Sequence, residues 1–213
     1  FYKQLGVIVY VESFQFNTYK SFLKSLSSID YIWYYGPNTL KKHFGKVSKF
    51  LPKAKTIFDM IDIHFLRYQR AIEINPNKIS LKKRCNKYFN IETKLAKKVD
   101  FVIAISDKEK ALISEYLPDN KIVTISNVHY PKVKQNDIPT FDSRENLLFI
   151  GSCHTPNVDA VHYLYKEIMP LVWEKLPNVK LQIIGSVDKE INAIIHKNIE
   201  FLGFVENVEP YFL

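Results

Sequence analysis

Three apolar runs in the second half of the sequence each end in glycine, and this pattern constrains the fold more than any other feature. The runs are residues 147–151, 181–185 and 201–203. The chain has only 6 glycines, so three of them at such positions are informative. Glycine at the end of a strand lets the backbone turn sharply and approach a ligand above the carboxyl edge of a parallel sheet. The pattern therefore predicts a ligand-binding edge in this half.

A segment with helical periodicity lies between the first two runs. Its apolar residues form one stripe: Val161, Leu164, Tyr165, Ile168, Leu171 and Val172. Such a stripe is typical of an amphipathic helix packed on a sheet. The second half is therefore predicted to contain a βαβ unit.

The first half alternates short β-branched or aromatic runs with longer segments of helical periodicity. We predict strands at residues 5–11, 30–35, 56–63, 101–105 and 122–125. We predict helices at 16–27, 39–50 and 80–98, and a further helix to about Tyr116 that begins at the N-cap Ser106, with Glu109 as its capping-box partner. This alternation is typical of βαβ units and a parallel sheet.

Together these patterns predict an α/β fold with two Rossmann-like parallel-sheet domains. We expect residues 1–126 to form the N-terminal domain without its first strand unit. Residues 127–145 contain Pro131 and Pro139 but no sustained period, and are predicted to be a linker. Residues 146–213 are predicted to be the first half of a second domain, so we expect the chain to be a piece of a longer protein.

Composition limits the class of protein only broadly. The chain has 30 Lys and Arg against 22 Asp and Glu, a formal net charge of +8 that suits an anionic partner or reflects coding bias. No apolar run reaches the roughly 18 residues that cross a bilayer, so a cytoplasmic protein is expected. Cys85 and Cys153 are far apart, which favours neither a disulfide nor a zinc site.

The loop 151–157 joins the first glycine-ended strand to the helix. Thr155 is predicted to cap that helix and Pro156 to occupy its first position, which leaves backbone N–H groups to attract a phosphate. An ordinary βα turn with a good cap is the alternative. The sequence has neither a GxGxxG motif nor a Walker lysine, which argues against a dinucleotide enzyme and a P-loop NTPase.

Asp62 and His64 follow the predicted strand 56–63. Alternation along a strand would place both on one face, where the carboxylate could orient the imidazole toward an acceptor hydroxyl. The alternative is a hydrogen-bond network that ties the strand end to the next helix. Metal binding by Asp59, Asp62 and His64 is less favoured, because Asp59 would point to the opposite face.

Glu92 lies on an apolar helix stripe. A buried charge without a partner costs several kcal/mol, so we expect Arg67 or Arg70 to pair with it.

A basic stretch begins the same predicted helix. Its cations could contact anionic lipid or nucleic acid, or could form a solvated helix face. The residues proposed for peripheral membrane contact are Lys82, Lys83, Arg84 and Lys87.

These segments together resemble the retaining glycosyltransferases of family four, which have the GT-B fold of two facing Rossmann-like domains. In the first half the resemblance rests on residues 59–64 with Arg67, on Glu92 with the helix–strand–serine run 99–106, and on 123–127. In the second half it rests on residues 149–152, 155–160, 168–170, 177–179, 181–185 and 201–205.

The resemblance implies a nucleotide-sugar donor bound against the second domain, with no metal cofactor. It implies the diphosphate near Gly151 and Ser152 and the nucleobase near Phe204 and Val205. The full set of predicted donor-binding residues is Gly151, Ser152, His154, Asn157, Gly185, Gly203, Phe204 and Val205.

The resemblance also implies retaining transfer to a hydroxyl of a glycan or lipid, as in polysaccharide biosynthesis. His64 would lie near the transferred sugar and the acceptor, with Asp62 supporting it. Many members of the family carry Arg and Lys where this loop has His154, and the family's glycine-rich loop and paired glutamates are absent. We therefore expect this chain to be catalytically incomplete by itself.

Two other functions are compatible with the sequence. One is a non-catalytic α/β module that binds an anionic partner, with nucleic acid less favoured than a membrane surface. The other is a GT-B epimerase that acts on the sugar nucleotide itself.

Overall fold

The chain divides into two compact units, residues 1–129 and 130–213. The structure, a computed structural model, describes residues 2–10, 18–26, 28–127, 138–187, 191 and 194–212. Ten residues of the predicted linker, 128–137, lie outside the described part. So do residues 11–17 and Ser27, on which parts of the first predicted strand and helix fall.

The first unit contains a four-stranded parallel sheet in the order β1-β2-β3-β4. Its strands are β1 (Tyr31–Tyr35), β2 (Lys55–Asp59), β3 (Phe101–Ala104) and β4 (Ile122–Thr124). The predicted α/β class with parallel sheets is therefore correct. The strand predicted at 5–11 is not formed by its described residues, because Tyr2–Leu5 is a 3-10 turn and residues 7–10 pair with no strand.

The described residues of the first unit form five α-helices. They are α1 (Tyr19–Ser25), α2 (Pro37–Phe50), α3 (His64–Ile74), α4 (Ile79–Phe89) and α5 (Asp107–Ile113). The long helix predicted at 80–98 is one continuous helical segment whose winding changes. After α4 it becomes a π-helix at Asn90–Leu95 and then a 3-10 turn at Ala96–Lys98.

One core cluster holds the first unit together. It joins alternate residues of the strands to the helices, and its fully buried members include Leu40, Phe58, Met60, Ala96, Val102 and Ile113. The period-2 burial of β2, in which Thr56 and Phe58 are buried and Lys55 is exposed, shows that the sheet presents one face to these helices.

The second unit contains a three-stranded parallel sheet in the order β5-β6-β7. Its strands are β5 (Leu147–Ile150), β6 (Leu181–Ile184) and β7 (Ile199–Gly203), so each glycine-ended run forms a strand as predicted. Helix α6 (Thr155–Tyr163), a π-helix (Leu164–Ile168) and α7 (Met169–Lys175) connect β5 to β6.

The predicted apolar stripe on this helical connection is confirmed only in part. Val161 is buried as predicted, but Leu171 is 65% exposed and Met169 is buried in its place. The π-helical turn between them explains the shift, because an i→i+5 turn takes up more residues than an α-turn and rotates the following face. No helix in the described ranges is long and apolar enough to span a bilayer.

Candidate functional site

The turn after β2 brings the predicted catalytic residues to the start of α3. Asp59 ends the strand, and its Oδ1 accepts a hydrogen bond at 3.0 Å from the backbone N–H of Ile61. Ile61 has φ 65°, which is an outlier for a β-branched residue. His64 is then the first residue of α3. The prediction that Asp62 and His64 share one strand face is therefore wrong, because the chain has left the strand before either residue.

A buried carboxylate satisfies the start of α3. Glu92, at 0% exposure, accepts hydrogen bonds from the backbone N–H of His64 through Oε1 and from that of Phe65 through Oε2, both at 3.0 Å. Glu92 Oε1 also lies 2.9 Å from Nδ1 of the His64 ring. Unpaired N–H groups and the helix dipole both favour an anion at this position. Glu92 thus supplies the cap that the N-cap residue, Ile63, does not provide from its own side chain.

Arginine does not pair with Glu92, contrary to the sequence prediction. Arg67 forms an ion pair with Asp62, and Arg70 is exposed. The reason is that the Glu92 carboxylate faces the first N–H groups of α3, whereas the Arg67 side chain reaches back to the preceding turn. Asp62 contacts the histidine only through its backbone, with its carbonyl oxygen 2.9 Å from His64 Nδ1.

The His64 ring is the end of a stack of three aromatic rings. Tyr88 stacks on His64 with centroids 5.0 Å apart, and Tyr68 stacks on Tyr88 at 5.4 Å. The tyrosine hydroxyl of Tyr88 accepts a hydrogen bond from Asn38 Nδ2 at 3.3 Å. The sequence did not predict this stack, although Tyr68 and His64 are four residues apart on one helix, a spacing that places both side chains on the same face.

The cations of α4 border the same stack. Arg84 lies over the Tyr68 ring at 5.9 Å and Lys87 lies over the Tyr88 ring at 4.7 Å. Lys87 also donates a hydrogen bond to Asn38 Oδ1 at 2.8 Å. Lys82 and Lys83 are exposed on the same helix. Two of the four cations proposed for membrane contact therefore have contacts within the protein.

A second carboxyl group, that of Glu109, lies near this turn. Burial raises its pKa, the hydrogen bond from the Ile105 N–H opposes that rise, and the charge of Asp62 adds to it. Ser106 caps α5 by accepting from the Glu109 N–H at 3.2 Å, as predicted. The carboxylate of Glu109 reaches the N–H of Ile105 instead of that of Ser106, so the capping box is displaced by one residue.

The glycine turns of the second unit approach one another closely. Gly185 has φ 104° and Gly203 has φ 65°, both in the left-handed region that favours glycine. The Gly185 N–H donates to the Gly203 carbonyl at 2.6 Å, and the Gly151 N–H donates to Ile184 at 2.9 Å. A Cβ on Gly185 would collide with the carbonyl of Gly151. The backbone packing therefore requires glycine at position 185.

An open pocket of about 470 Å³ lies at these turns within the second unit. Six of the predicted donor-binding residues line it: Gly151, Ser152, Asn157, Gly185, Phe204 and Val205. Its volume is within the usual range for small-molecule sites. Gly203 does not line the pocket, but its carbonyl accepts a hydrogen bond from the N–H of Gly185, which does. His154 is exposed and does not line the pocket, whereas Ser186, which is not among the predicted donor-binding residues, does.

Helix α6 begins one residue earlier than predicted. His154 is the N-cap and makes no side-chain cap hydrogen bond, Thr155 is the first helical residue and Pro156 is the second. The carbonyl of His154 accepts from the N–H groups of Asn157 at 2.8 Å and Val158 at 3.2 Å. Asn157 Nδ2 in turn donates to the Ser152 carbonyl at 3.2 Å and holds the loop against the helix.

The absence of a metal cofactor remains a prediction. Across the described ranges, no three His, Cys, Asp or Glu side chains cluster as metal ligands.

The unit that holds this pocket is the part of the chain that matches a known family. Residues 144–213 match the family model described as Glycosyl transferases group 1. The match includes every residue that lines the pocket and supports the glycosyltransferase superfamily that the sequence resembles. Membership of family four and retention are finer statements that the match does not reach.

Solved structures are similar at low identity. The GtfA/B complex aligns with 88% of this chain and 37% of its own, at 16% identity and a TM-score of 0.49. The apo form of the lipopolysaccharide outer core galactosyltransferase WaaB aligns with 82% of this chain and 50% of its own, at 16% identity and a TM-score of 0.39. The chain thus spans half or less of the length of either structure. No curated protein matches the sequence significantly.

Proposed function

We propose that the chain acts in glycosyl transfer, in which a sugar passes from a nucleotide-sugar donor to a hydroxyl of a glycan or lipid acceptor with retention at the anomeric carbon. The observation that carries the proposal is the pocket at the glycine turns, which lies wholly within the residues that match Glycosyl transferases group 1. The carboxyl edge of a parallel sheet is where open α/β folds bind their ligands.

In this proposal the pocket binds the donor. The diphosphate contacts the backbone around Gly151 and Ser152, where the absence of a Cβ permits close approach. The nucleobase contacts Phe204 and Val205. Phe204 is 87% exposed, so its ring is available for contact with a base. Among the described residues that line the pocket there is no lysine or arginine, so in this proposal neutralisation of the diphosphate depends on backbone N–H groups of the turns and on His154 of the adjoining loop.

In the first unit, His64 holds the acceptor hydroxyl. An imidazole nitrogen can accept a hydrogen bond from a hydroxyl at neutral pH, and the His64 side chain is 17% exposed. The departing diphosphate helps to take the acceptor proton, so no protein carboxylate attacks the sugar. Replacing His64 with Ala should then reduce turnover far more than donor affinity.

Calorimetry with UDP and GDP sugars tests the donor site. Phe204→Ala is expected to weaken donor binding by roughly 5- to 150-fold, since stacking on one base is worth about 1–3 kcal/mol. Phe141→Ala is the matched control, because Phe141 is 83% exposed in the same unit and does not line the pocket. If no common donor binds either this chain or a longer form, the donor site is refuted.

An epimerase reaction on the sugar nucleotide is distinguished by its substrates. It predicts that the donor is converted when no acceptor is present. A transferase leaves the sugar configuration of the donor unchanged under those conditions.

Exposed cations on α4 favour a second candidate function, binding to an anionic membrane surface. Lys82 and Lys83 are exposed, and Arg84 and Lys87 lie beside them on the same helix. Retention on anionic vesicles that falls steeply with salt, in a chain that binds no donor, would favour this function over transfer.

A further inference from the structure

One nitrogen of the His64 ring lies between two hydrogen-bond acceptors. Nδ1 is 2.9 Å from the backbone carbonyl oxygen of Asp62 and 2.9 Å from Oε1 of Glu92. Neither oxygen can donate a hydrogen bond when Glu92 is ionised. A proton on Nδ1 satisfies both oxygens, whereas a lone pair on Nδ1 would face two acceptors and be repelled by both.

In a neutral imidazole the two nitrogens have opposite roles. If Nδ1 carries the proton, Nε2 carries the lone pair and can only accept. We propose that Glu92 is a positioning residue that fixes His64 in the Nδ1–H tautomer, so that Nε2 is available to accept a hydrogen bond from a substrate hydroxyl. The use of that acceptor in catalysis rests on the proposed function, but the tautomer does not.

Glu92 is well placed for this role because its carboxylate cannot easily move. Both oxygens are occupied by backbone N–H groups of α3, and the side chain is fully buried. The residue belongs to the π-helix at Asn90–Leu95, and π-helical turns occur frequently at functional sites. The carboxylate therefore binds the histidine backbone and the histidine ring at the same time, and couples the ring to the start of the helix.

The stacking of Tyr88 fixes the remaining freedom of the ring. The ring planes of His64 and Tyr88 are inclined by only 21°, so the stack fixes the plane of the imidazole, and a 180° flip within that plane would carry Nδ1 away from Glu92. With Nδ1 held by Glu92 and one ring face covered by Tyr88, the edge that carries Nε2 is the part of the ring left to bind a substrate.

The carboxylate of Asp62, which the sequence favours for this role, is engaged elsewhere. It forms an ion pair with Arg67, and both side chains are substantially exposed, at 39% and 42%. Only the backbone carbonyl of Asp62 meets the ring. Replacing Asp62 with Asn preserves that carbonyl but removes the carboxylate. The variant therefore distinguishes a positioning role of the Asp62 carboxylate from that of Glu92.

The test is long-range ¹⁵N–¹H NMR of the whole chain at alkaline pH, where the neutral ring reports its tautomer, with His64→Gln to assign the signals. We expect the protonated-nitrogen shift on Nδ1 and the lone-pair shift on Nε2. Glu92→Gln should weaken the preference for the Nδ1–H tautomer, since the amide has one acceptor oxygen for two backbone N–H groups and the ring. Asp62→Asn should leave the tautomer unchanged, as should Glu73→Gln, which replaces an exposed glutamate on α3.

An Nε2–H tautomer in the unmodified chain would overturn the proposal, and so would an Asp62→Asn variant that loses the Nδ1–H tautomer. Because an Nε2–H tautomer in the unmodified chain would overturn the proposal by itself, the proposal stays testable even if the Glu92→Gln variant fails to fold. Donor calorimetry at the second-unit pocket is read separately. A confirmed tautomer without donor binding refutes only the proposed function, and donor binding with an Nε2–H tautomer refutes only the role of Glu92.

Discussion

At the scale of single residues, glycine and glutamate have roles that only their surroundings reveal. Gly185 combines a left-handed backbone with direct packing against the Gly151 carbonyl. Glu92 is an acidic residue in an apolar stripe, and it is tolerated because three donors at the start of α3 surround its two oxygens. Both residues stabilise backbone geometry at a strand or helix end, which is where the predicted ligands would bind.

Gly185→Ala should destabilise the second unit. The positive φ is expected to cost about 1–3 kcal/mol, and the collision with Gly151 adds to that cost. Urea denaturation measures the change in the free energy of unfolding.

The matched control is Gly45→Ala. Gly45 has open space around it within α2 and is not among the positive-φ glycines, so alanine there should stabilise the protein by up to about 1 kcal/mol. Equal effects at both positions would contradict the assigned role of Gly185.

At the scale of elements, neighbouring strands and helices are joined by a few specific contacts. Asp100 links β2 to the start of β3 by accepting hydrogen bonds at 2.9 Å from both the N–H and the hydroxyl of Thr56, and one at 3.0 Å from Lys55. The hydrogen bond from the Thr56 N–H, aided by Lys55, lowers the pKa of Asp100 from 3.8 to about 2.

Acid denaturation should report this link. Because the folded-state pKa is depressed, the contribution of Asp100 is fully present above pH 3.8 and is lost as the pH falls toward about 2. Asp100→Asn should therefore lower stability by about 1 kcal/mol at neutral pH, a value reduced for solvent screening because the side chain is 33% exposed. The difference from the unmodified chain should shrink as the pH falls through this range.

The control for Asp100 is Asp30→Asn, which replaces an exposed carboxylate next to β1. It should leave the acid limb of the stability curve close to that of the unmodified chain. If Asp100→Asn were as stable as the unmodified chain at neutral pH, the link between β2 and β3 would be refuted.

The π-helix at Leu164–Ile168 determines which side chains of α7 are buried. Met169→Ala should cost about 2–5 kcal/mol, because Met169 is fully buried in the core of the second unit. Leu171→Ala should change stability by less than about 0.5 kcal/mol, because Leu171 is 65% exposed. An uninterrupted α-helix would reverse this order, so the two measured free energies of unfolding decide the register of the helix.

At the scale of the whole molecule, binding to anionic vesicles could depend on the net charge of +8 or on the local charge of α4, and the two causes lead to different predictions. If binding to anionic vesicles depends on the α4 face, the double variant Lys82→Glu and Lys83→Glu should abolish retention. The double variant Lys41→Glu and Lys42→Glu changes the net charge equally on exposed positions of α2 and should retain most of it. Equal losses in a vesicle co-sedimentation assay across a salt series would show that net charge alone is responsible.

Much of the fold was determined by short-range pattern in the sequence. Alternating apolar periods fixed the α/β class and the parallel strands, and glycines at 151, 185 and 203 marked the edge where the second-unit pocket lies. These features follow from local chemistry, because side-chain periodicity and glycine conformational freedom act within a few residues. The same local logic identified Ser106 as a cap and the loop 151–157 beside the pocket, whereas Phe204 and Val205 came from the resemblance to the glycosyltransferases.

Only the tertiary structure decided which side chains meet. Glu92 is 28 residues from His64 in sequence, and nothing local distinguishes it from Asp62, which is two residues away. The prediction from strand alternation is wrong beyond Asp59, because the turn at Ile61 ends the extended conformation. The prediction from helical periodicity is wrong at Met169, because a π-helical turn rotates the buried face of the helix. Contacts between distant segments depend on where the backbone bends and on which buried donors need an acceptor, and both are settled only when the whole unit packs.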